Sequence, residues 1–358
     1  MQAANQKLLM KELESLLDTC AITAGDLEAL RVAPLESSSG VEEIEAALVT
    51  LFKAMVKIDP STGGAGGAKK DEDAGSETAG LGGDFGSMRI VQEKKEMYTA
   101  ESSAFMRRLV AFMAVQFDLA FDKTRRAMDG ALSKKADPRN HEAGRDVLWQ
   151  YSPLVLYARD VDLDNWNRVV QIYQDKSHPV YKAEFREALD AWKKYARKPT
   201  GDEAELLFTS QQEKKEEGIA TTARKLTVKR SQTLARSLRS PLGDASKTTG
   251  PDKGGDSRSH PYEVFASVLD ELLPLVEMEQ NFVIDFFRAT TLEQSDFADA
   301  VAASRPRDRR GGDLKRHRLM EPDRELARRV TRAMEVIFSF LEQDLQKLVD
   351  WVLSMDAL

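Results

Sequence analysis

The densest run of chemically competent side chains is RKLTVKRSQTLARSLR, residues 224 to 239. Arg224, Lys225, Lys229, Arg230, Arg236 and Arg239 occur there with no acid between them, interleaved with Leu226, Val228, Leu234 and Leu238. Cations set beside apolar residues suit an anionic partner: lipid headgroups, where each basic group near the surface contributes about 1 kcal/mol, or an acidic protein. Ser231, Thr233 and Ser237 follow these bases, and phosphate on any of them would cancel positive charge, making them candidate phosphorylation sites. The same run also fits a solvated helix end with its leucines packed inward. A second run, RPRDRRGGDLKRHR at 305–318, holds seven Arg and Lys against two Asp. It has no aromatic residue on which a base could stack, and it reads as a mobile basic loop.

No spacing supports catalysis, a cofactor or a metal. Asp84-Phe85-Gly86 spells a kinase magnesium triplet, but it lies in a glycine-rich stretch and the companion kinase motifs are missing. Asp160, Asp162 and Asp164 begin like a calcium loop, yet Asn165 stands where the sharp turn needs glycine and Gln171 where a bidentate glutamate closes the shell. Helix capping explains these aspartates better. The glycines at 63, 64, 66 and 67 lack the strand and the Gly-Lys-Ser/Thr ending of a phosphate cradle. Cys20 has no histidine nearby in sequence and reads as a structural thiol; the four histidines lie near expected helix ends, where packing and capping account for them. Pairs such as Glu42 and Glu43 belong to polar helix faces, with no apolar pocket to split their pKa values.

The elements that must position these residues follow from composition and periodicity. The chain has 358 residues, 42% of them hydrophobic, 31% charged and only 7% aromatic, which disfavours an all-β fold and bounds it at two or three ordinary domains. One cysteine excludes a disulfide framework and fits a reducing compartment. The formal net charge of -7 is spread along the chain, so no broad positive surface invites nucleic acid. The first residues, MQAANQKLLMKELESLL, lack the form of a signal peptide, and no apolar run approaches the ~20 residues of a membrane span.

Glycine-rich, apolar-poor segments at 59–87 and 240–259 read as disordered linkers. They divide the chain into N-terminal helices of a first bundle (1–58), a long helix and second bundle (88–239) and a third bundle (260–358). Helical spacing dominates between the linkers. Val41, Ile44, Leu48, Leu51, Phe52, Met55 and Ile58 form one buried face behind a Ser39 cap candidate. From Met88 to Leu132 the expected apolar register is Val91, Phe105, Leu109, Phe112, Val115, Leu119 and Met128. Ser177 is expected to start a new helix, Pro274 to kink or break another, and a single last helix to run from Pro322 to the end. The aromatic residues Trp149, Tyr151, Tyr157, Trp166, Tyr173, Tyr181 and Trp192 are expected in a bundle core. The fold class is therefore all-α, an elongated rod of consecutive antiparallel helical bundles.

Longer segments carry a resemblance. ELESLLDTCAITAGDLEAL, EIEAALVTLFKAMVKIDP, VQEKKEMYTAESSAFMRRL, GRDVLWQYSPLVLYARDVDLDNWNRVVQIYQDKSHPVYKAEFREALDAWKKYARK, EGIATTARKLTVKRSQTLARSLRSPLGD and LMEPDRELARRV together resemble the exocyst component 1 family, the Sec-three subunit, in its filamentous-fungal form. The resemblance implies a non-enzymatic helical-rod fragment of the complex that tethers secretory vesicles to the plasma membrane, with other exocyst subunits as partners. It implies a cytoplasmic location, peripheral at membrane sites of polarized secretion. The family's lipid- and Rho-GTPase-binding PH-like domain, most of its coiled coil and further C-terminal bundles are expected outside this chain. A Rho-type GTPase would therefore be met only through that absent domain. Anionic membrane lipid, met through residues 224–239 and 305–318, is the alternative partner, and nucleic acid is not expected.

Overall fold

The computed structural model of the chain describes residues 2–62, 88–130, 136–196, 260–292 and 295–356. Among them every regular element is helical, as the periodicity requires. The N-terminal helices are α1 (Gln2–Ala21), α2 (Ala29–Val32) and α3 (Ser38–Ile58). The middle of the chain forms α4 (Arg89–Asp129), α5 (Arg139–Arg145), α6 (Ser152–Val161) and α7 (Leu163–Tyr195). The remainder forms α8 (Pro261–Phe286), α9 (Phe297–Ala303), α10 (Arg324–Ile337) and α11 (Leu341–Asp356). The expected linkers lie outside the described residues, apart from 59–62.

Helix starts obey local chemistry. Ser37, two residues before the expected cap, accepts a 3.1 Å bond from the Gly40 amide at the start of α3. Asp162 caps α7 by accepting from the Asn165 amide at 3.1 Å, and Asp323 caps α10 by accepting from the amides of Glu325 and Leu326. Pro261 opens α8 at a position where its missing N–H costs nothing.

Helix interiors depart from expectation in three places. The 41 residues of α4 make a helix of about 60 Å at roughly 1.5 Å per residue, but its buried face differs from the one expected. Val115 and Leu119 are exposed, while Met106, Met113, Phe117 and Phe121 are buried. The expected series steps 109, 112, 115, and at about 100° per residue Val115 lies roughly 240° round from Leu109, on the solvent side. Second, α7 runs unbroken through Ser177 and Pro179, where a new helix is expected, and α8 continues through Pro274 without a break. Both prolines are exposed, so the carbonyls freed one turn earlier sit toward water, where a helix is already convex and its bonds are longest. Third, the last helix is two. A turn at 338–340 separates α10 from α11 and turns both Phe338 and Phe340 inward. His178 Nδ1 stands 3.2 and 3.1 Å from the Val336 and Ile337 carbonyls at that end of α10.

The chain divides into two compact units. The first comprises Met1–Leu132, Ala136–Phe185 and Leu272–Leu341, with α4 as its spine. The segment leading into α3 is fastened to α4 by side-chain bonds to backbone oxygens: Lys94 to Ile22 at 2.7 Å and Arg108 to Leu30 at 2.9 Å and to Ala33. Tyr98 of α4 donates to the Thr19 carbonyl of α1, and Arg31 pairs with Glu101. On the other flank α5 lies directly on α4 at Gly144, where a Cβ would stand 2.5 Å from both the Ala120 oxygen and the Thr124 hydroxyl. Aromatic rings fill this unit in three groups. Phe52, Phe105, Tyr157 and Phe297 join α3, α4, α6 and α9 edge-to-face. Phe117, Tyr173, Phe282, Phe286 and Phe287 form the centre. Tyr181, Phe185, Phe338 and Phe340 close the far end. The seven aromatic residues expected as core, from Trp149 to Trp192, are all buried.

The second unit contains residues 186–195 of α7, 261–271 of α8 and 342–356 of α11. Leu189, Trp192, Val264, Val268 and Leu348 are buried in it. Arg186 pairs with the buried Asp344 at 2.8 Å, and the Trp192 indole N–H donates to Glu271 at 2.8 Å.

Candidate functional site

The basic residues Arg224, Lys225, Lys229, Arg230, Arg236 and Arg239 and the hydroxyls of Ser231, Thr233 and Ser237 lie outside the described residues. The second basic run, 305–318, is described, and it is not a mobile loop: it is a built connection between α9 and α10. A 3₁₀ turn at Pro306–Asp308 delivers Arg309 into the interior, where Arg309 and Glu45 of α3 are 7% and 2% exposed. The guanidinium forks onto both carboxylate oxygens, Nη1 to Oε1 at 2.6 Å and Nη2 to Oε2 at 2.8 Å. The second hydrogens of Nη1 and Nη2 reach the Gln150 and Ser304 carbonyls at 2.7 and 2.9 Å, whereas Nε is buried without a hydrogen-bond partner among the described residues. Arginine supplies a planar fork that matches a carboxylate, which is why one buried side chain can pin a 20-residue connection. Burial pushes the Glu45 carboxyl up, and the bonds and charge of Arg309 only partly offset it.

Beyond this clip the chain passes Gly311, whose backbone lies so close to Trp149 that a Cβ would stand 2.5 Å from the indole. Buried Leu314 follows, and the buried Asn281 amide of α8 donates to the Leu314 and Arg316 carbonyls at 2.6 and 3.1 Å. Arg318 pairs with Asp285 of α8, and His317 lies 2.8 Å from Glu277. Glu321 closes the connection. It accepts from the Thr291 hydroxyl, from the Thr291 amide at 3.0 Å and from the Asp323 amide at 3.1 Å. Of the seven bases in the run, Arg309 is thus internal and Arg318 is paired to the scaffold, while Arg305, Arg307, Arg310, Lys315 and Arg316 are exposed. A cleft of about 540 Å³ beneath the connection mixes signs, with Asp285, Asp299 and Asp308 beside Arg288, Arg310 and Arg316.

Glu321 carries a pH prediction. Burial raises its carboxyl, but the bonds from Thr291, Thr290 and the Asp323 amide outweigh burial and hold it below the usual range. A depressed carboxylate contributes stability above its ordinary pKa and loses it as pH falls through the folded value. Acidification through the carboxylate range is therefore expected to release this anchor. Amide hydrogen exchange should show Thr291 and Asp323 losing protection on acidification in the wild type, whereas Glu321→Gln should show weak protection already at neutral pH.

Two features escape a reading by charge. Leu319 and Met320, immediately after the basic run, are 82% and 91% exposed. On α1, Met10, Leu13 and Leu17 are also exposed, and their i, i+3, i+7 spacing sets them within about 60° of one another on one face. The spacing of the α1 stripe was available in the sequence; the outward direction of Leu319 and Met320 was not. Among the described residues no group of three or more His, Cys, Asp and Glu could hold a metal ion, and no helix is long and apolar enough to cross a membrane.

Comparison with known proteins agrees with this layout. The family model described as exocyst complex component Sec3, coiled-coil, matches residues 1–57, the region of α1 to α3 that carries the exposed stripe. The model described as exocyst complex component Sec3, C-terminal, matches residues 286–358, which include the pinned connection, α10 and α11. Exocyst complex component 1 of Mus musculus is 24% identical over 370 aligned residues, covering 96% of this chain and 37% of that relative. The chain thus spans little more than a third of that relative's length. No solved structure matches. Matched at both ends by models of one protein and along nearly its whole length by a relative of the same kind, the chain belongs to the Sec3 family of exocyst components.

Proposed function

We propose that this chain acts as a non-enzymatic structural part of the exocyst, holding partner-binding helical faces at set positions so that the complex can tether secretory vesicles to the plasma membrane. The observation that carries the reading is the exposed Met10, Leu13 and Leu17 stripe on a helix that lies within the coiled-coil family match. A narrow apolar seam of this spacing is what a helix buries against another helix in a coiled coil, so α1 is the face on which another exocyst subunit would pack. The helical units would then serve as a scaffold for such faces, and the location would be cytoplasmic and peripheral at sites of polarized secretion.

Changing Met10, Leu13 and Leu17 together to serine tests this. Fully burying one such side chain is worth about 1.5–3 kcal/mol, so losing three from a seam is expected to lower recovery of the chain with a tagged exocyst subunit by at least about tenfold. Its own melting temperature should stay unchanged, because these side chains already face water. Full recovery of the triple variant in the complex would remove α1 as the docking face.

A further inference from the structure

The outward face of α10 repeats one charge. Arg324, Arg328 and Arg332 are all exposed and stand four residues apart, so they follow one another at intervals of about 6 Å along the helix, each turned only ~40° from the last. Among the described residues none of the three guanidiniums has a hydrogen-bond or ion-pair partner. Arg329, by contrast, is engaged: it pairs with Glu325 at 3.4 Å, donates to Asn167 of α7 at 2.7 Å and lies over the Trp166 ring. Local helix chemistry opposes the exposed series. Like charges at i and i+4 repel, and a cation in the first turn, where Arg324 stands, opposes the helix dipole. The helix does not depend on these arginines for its place, because Asp323 caps it and Leu326, Val330, Ala333 and Ile337 bury its other face. A local rule broken with no compensation among the described residues points to a contact made outside the fold.

We infer that this face is a contact for an acidic helix of a partner protein, whose carboxylates recur every four residues and lie opposite Arg324, Arg328 and Arg332. Charge complementarity sets the sign of the partner. The repeat sets its form, because a second helix lying along α10 rises by the same ~6 Å between its own i and i+4 side chains, and each guanidinium fork can take both oxygens of a carboxylate. A lipid surface fits less well. The large apolar residues of α10 are buried or half-buried apart from Val336, so a membrane would be held by three cations with little apolar anchorage. Nucleic acid also fits less well: α10 contains no aromatic residue for stacking, and its exposed Glu325 and Glu335 repel a uniformly charged phosphate backbone, whereas a helix can set its acids opposite the arginines alone. The inference goes beyond the proposed exocyst role, because it concerns α10 and not α1 and holds whether or not the partner is an exocyst subunit.

The test uses the whole 358-residue chain, with Arg230→Glu, Arg236→Glu and Arg239→Glu already in place so that the basic run 224–239 does not mask the signal. The probes are two fluorescent glutamate–alanine peptides of equal length and charge, one with glutamates at every fourth position and the other with the same glutamates consecutive. At low ionic strength, where exposed charges are least screened, the spaced peptide should bind, and more tightly than the clustered one. Arg324→Gln with Arg328→Gln and Arg332→Gln should weaken that binding about tenfold or more, from three exposed ion pairs lost together. The melting temperature should stay unchanged or rise slightly, because repulsion along α10 is relieved. Equal binding of the spaced peptide with and without the three glutamines would overturn the inference, as would equal binding of the two peptides or none of either. A melting temperature lowered by several degrees would overturn it too, by showing that the arginines hold the fold. Tighter binding to phosphatidylserine vesicles or to a single-stranded oligonucleotide than to the spaced peptide, lost on the same substitutions, would reassign the face to lipid or nucleic acid and end the case for an acidic helix.

Discussion

Arg309→Met is expected to destabilise the first unit by about 3–5 kcal/mol, as measured by urea denaturation, because it strands a charged carboxylate in the interior. Glu45 is 2% exposed, and both of its oxygens are spoken for by the Arg309 fork. The cost is not the worth of the pair. Desolvating both ions consumes most of their mutual attraction, so Glu45→Met with Arg309→Met should cost far less than Arg309→Met alone, and the coupling in the double-mutant cycle should be large. The pH dependence has a definite sign. Burial already raises the Glu45 carboxyl, and without Arg309 it rises further, so the fold takes up this proton more readily than the unfolded chain. The gap between Arg309→Met and wild type should narrow as pH falls and Glu45 becomes neutral. A gap that widens toward acid, or a double variant as unstable as the single one, would show that Arg309 acts by something other than compensating Glu45.

Glu279→Ala is the second large effect expected, again about 3–5 kcal/mol. Glu279 is fully buried on α8 and accepts from Arg145 of α5 at 2.7 Å and from the Tyr173 and Tyr181 hydroxyls of α7, each at 2.6 Å. Removing it leaves one buried cation and two buried hydroxyls without their shared acceptor. The titration of the cluster is consistent with that dependence. Burial by itself would lower the Arg145 pKa, but the neighbouring Tyr181 and Glu279 raise it above the ordinary value, while burial and the Glu279 charge push both tyrosines well up. Tyr173→Phe or Tyr181→Phe removes one charge-assisted bond but keeps the ring packing, so each should cost about 1.5–3 kcal/mol. If Glu279→Ala melted within a degree of wild type, α5, α7 and α8 would have to be held by their aromatic contacts alone.

Much of the fold was legible because helical amphipathicity is a local property. On α3 the expected face is buried except for the half-buried Met55, and the long helix of α4 spans nearly the expected residues. The errors share one cause. The register of α4 was assigned from spacing by threes and fours, which fixes a face only up to slow rotation, and the neighbours chose Met113 and Phe117 over Val115 and Leu119. Ser177 reads as a helix start and Pro274 as a kink or break, yet α7 and α8 both continue, since sequence does not show that Pro179 and Pro274 would face water. The site was less legible. A count of bases set all seven of 305–318 equal, although Arg309 is internal, and its partner Glu45 lies 264 residues away. A faint signal existed: Glu45 and Glu279 are acids within apolar helical registers, which already asks for a buried cation.

The sequence by itself determined the helical class, the aromatic composition of the core and the family, because each depends on residues within one or two turns or on the string as a whole. Only the tertiary structure decided which arginine is a structural bolt and which lysine faces water, and that Leu319 and Met320 point outward. These depend on burial, and burial is set by elements far apart in the chain that meet only when it folds.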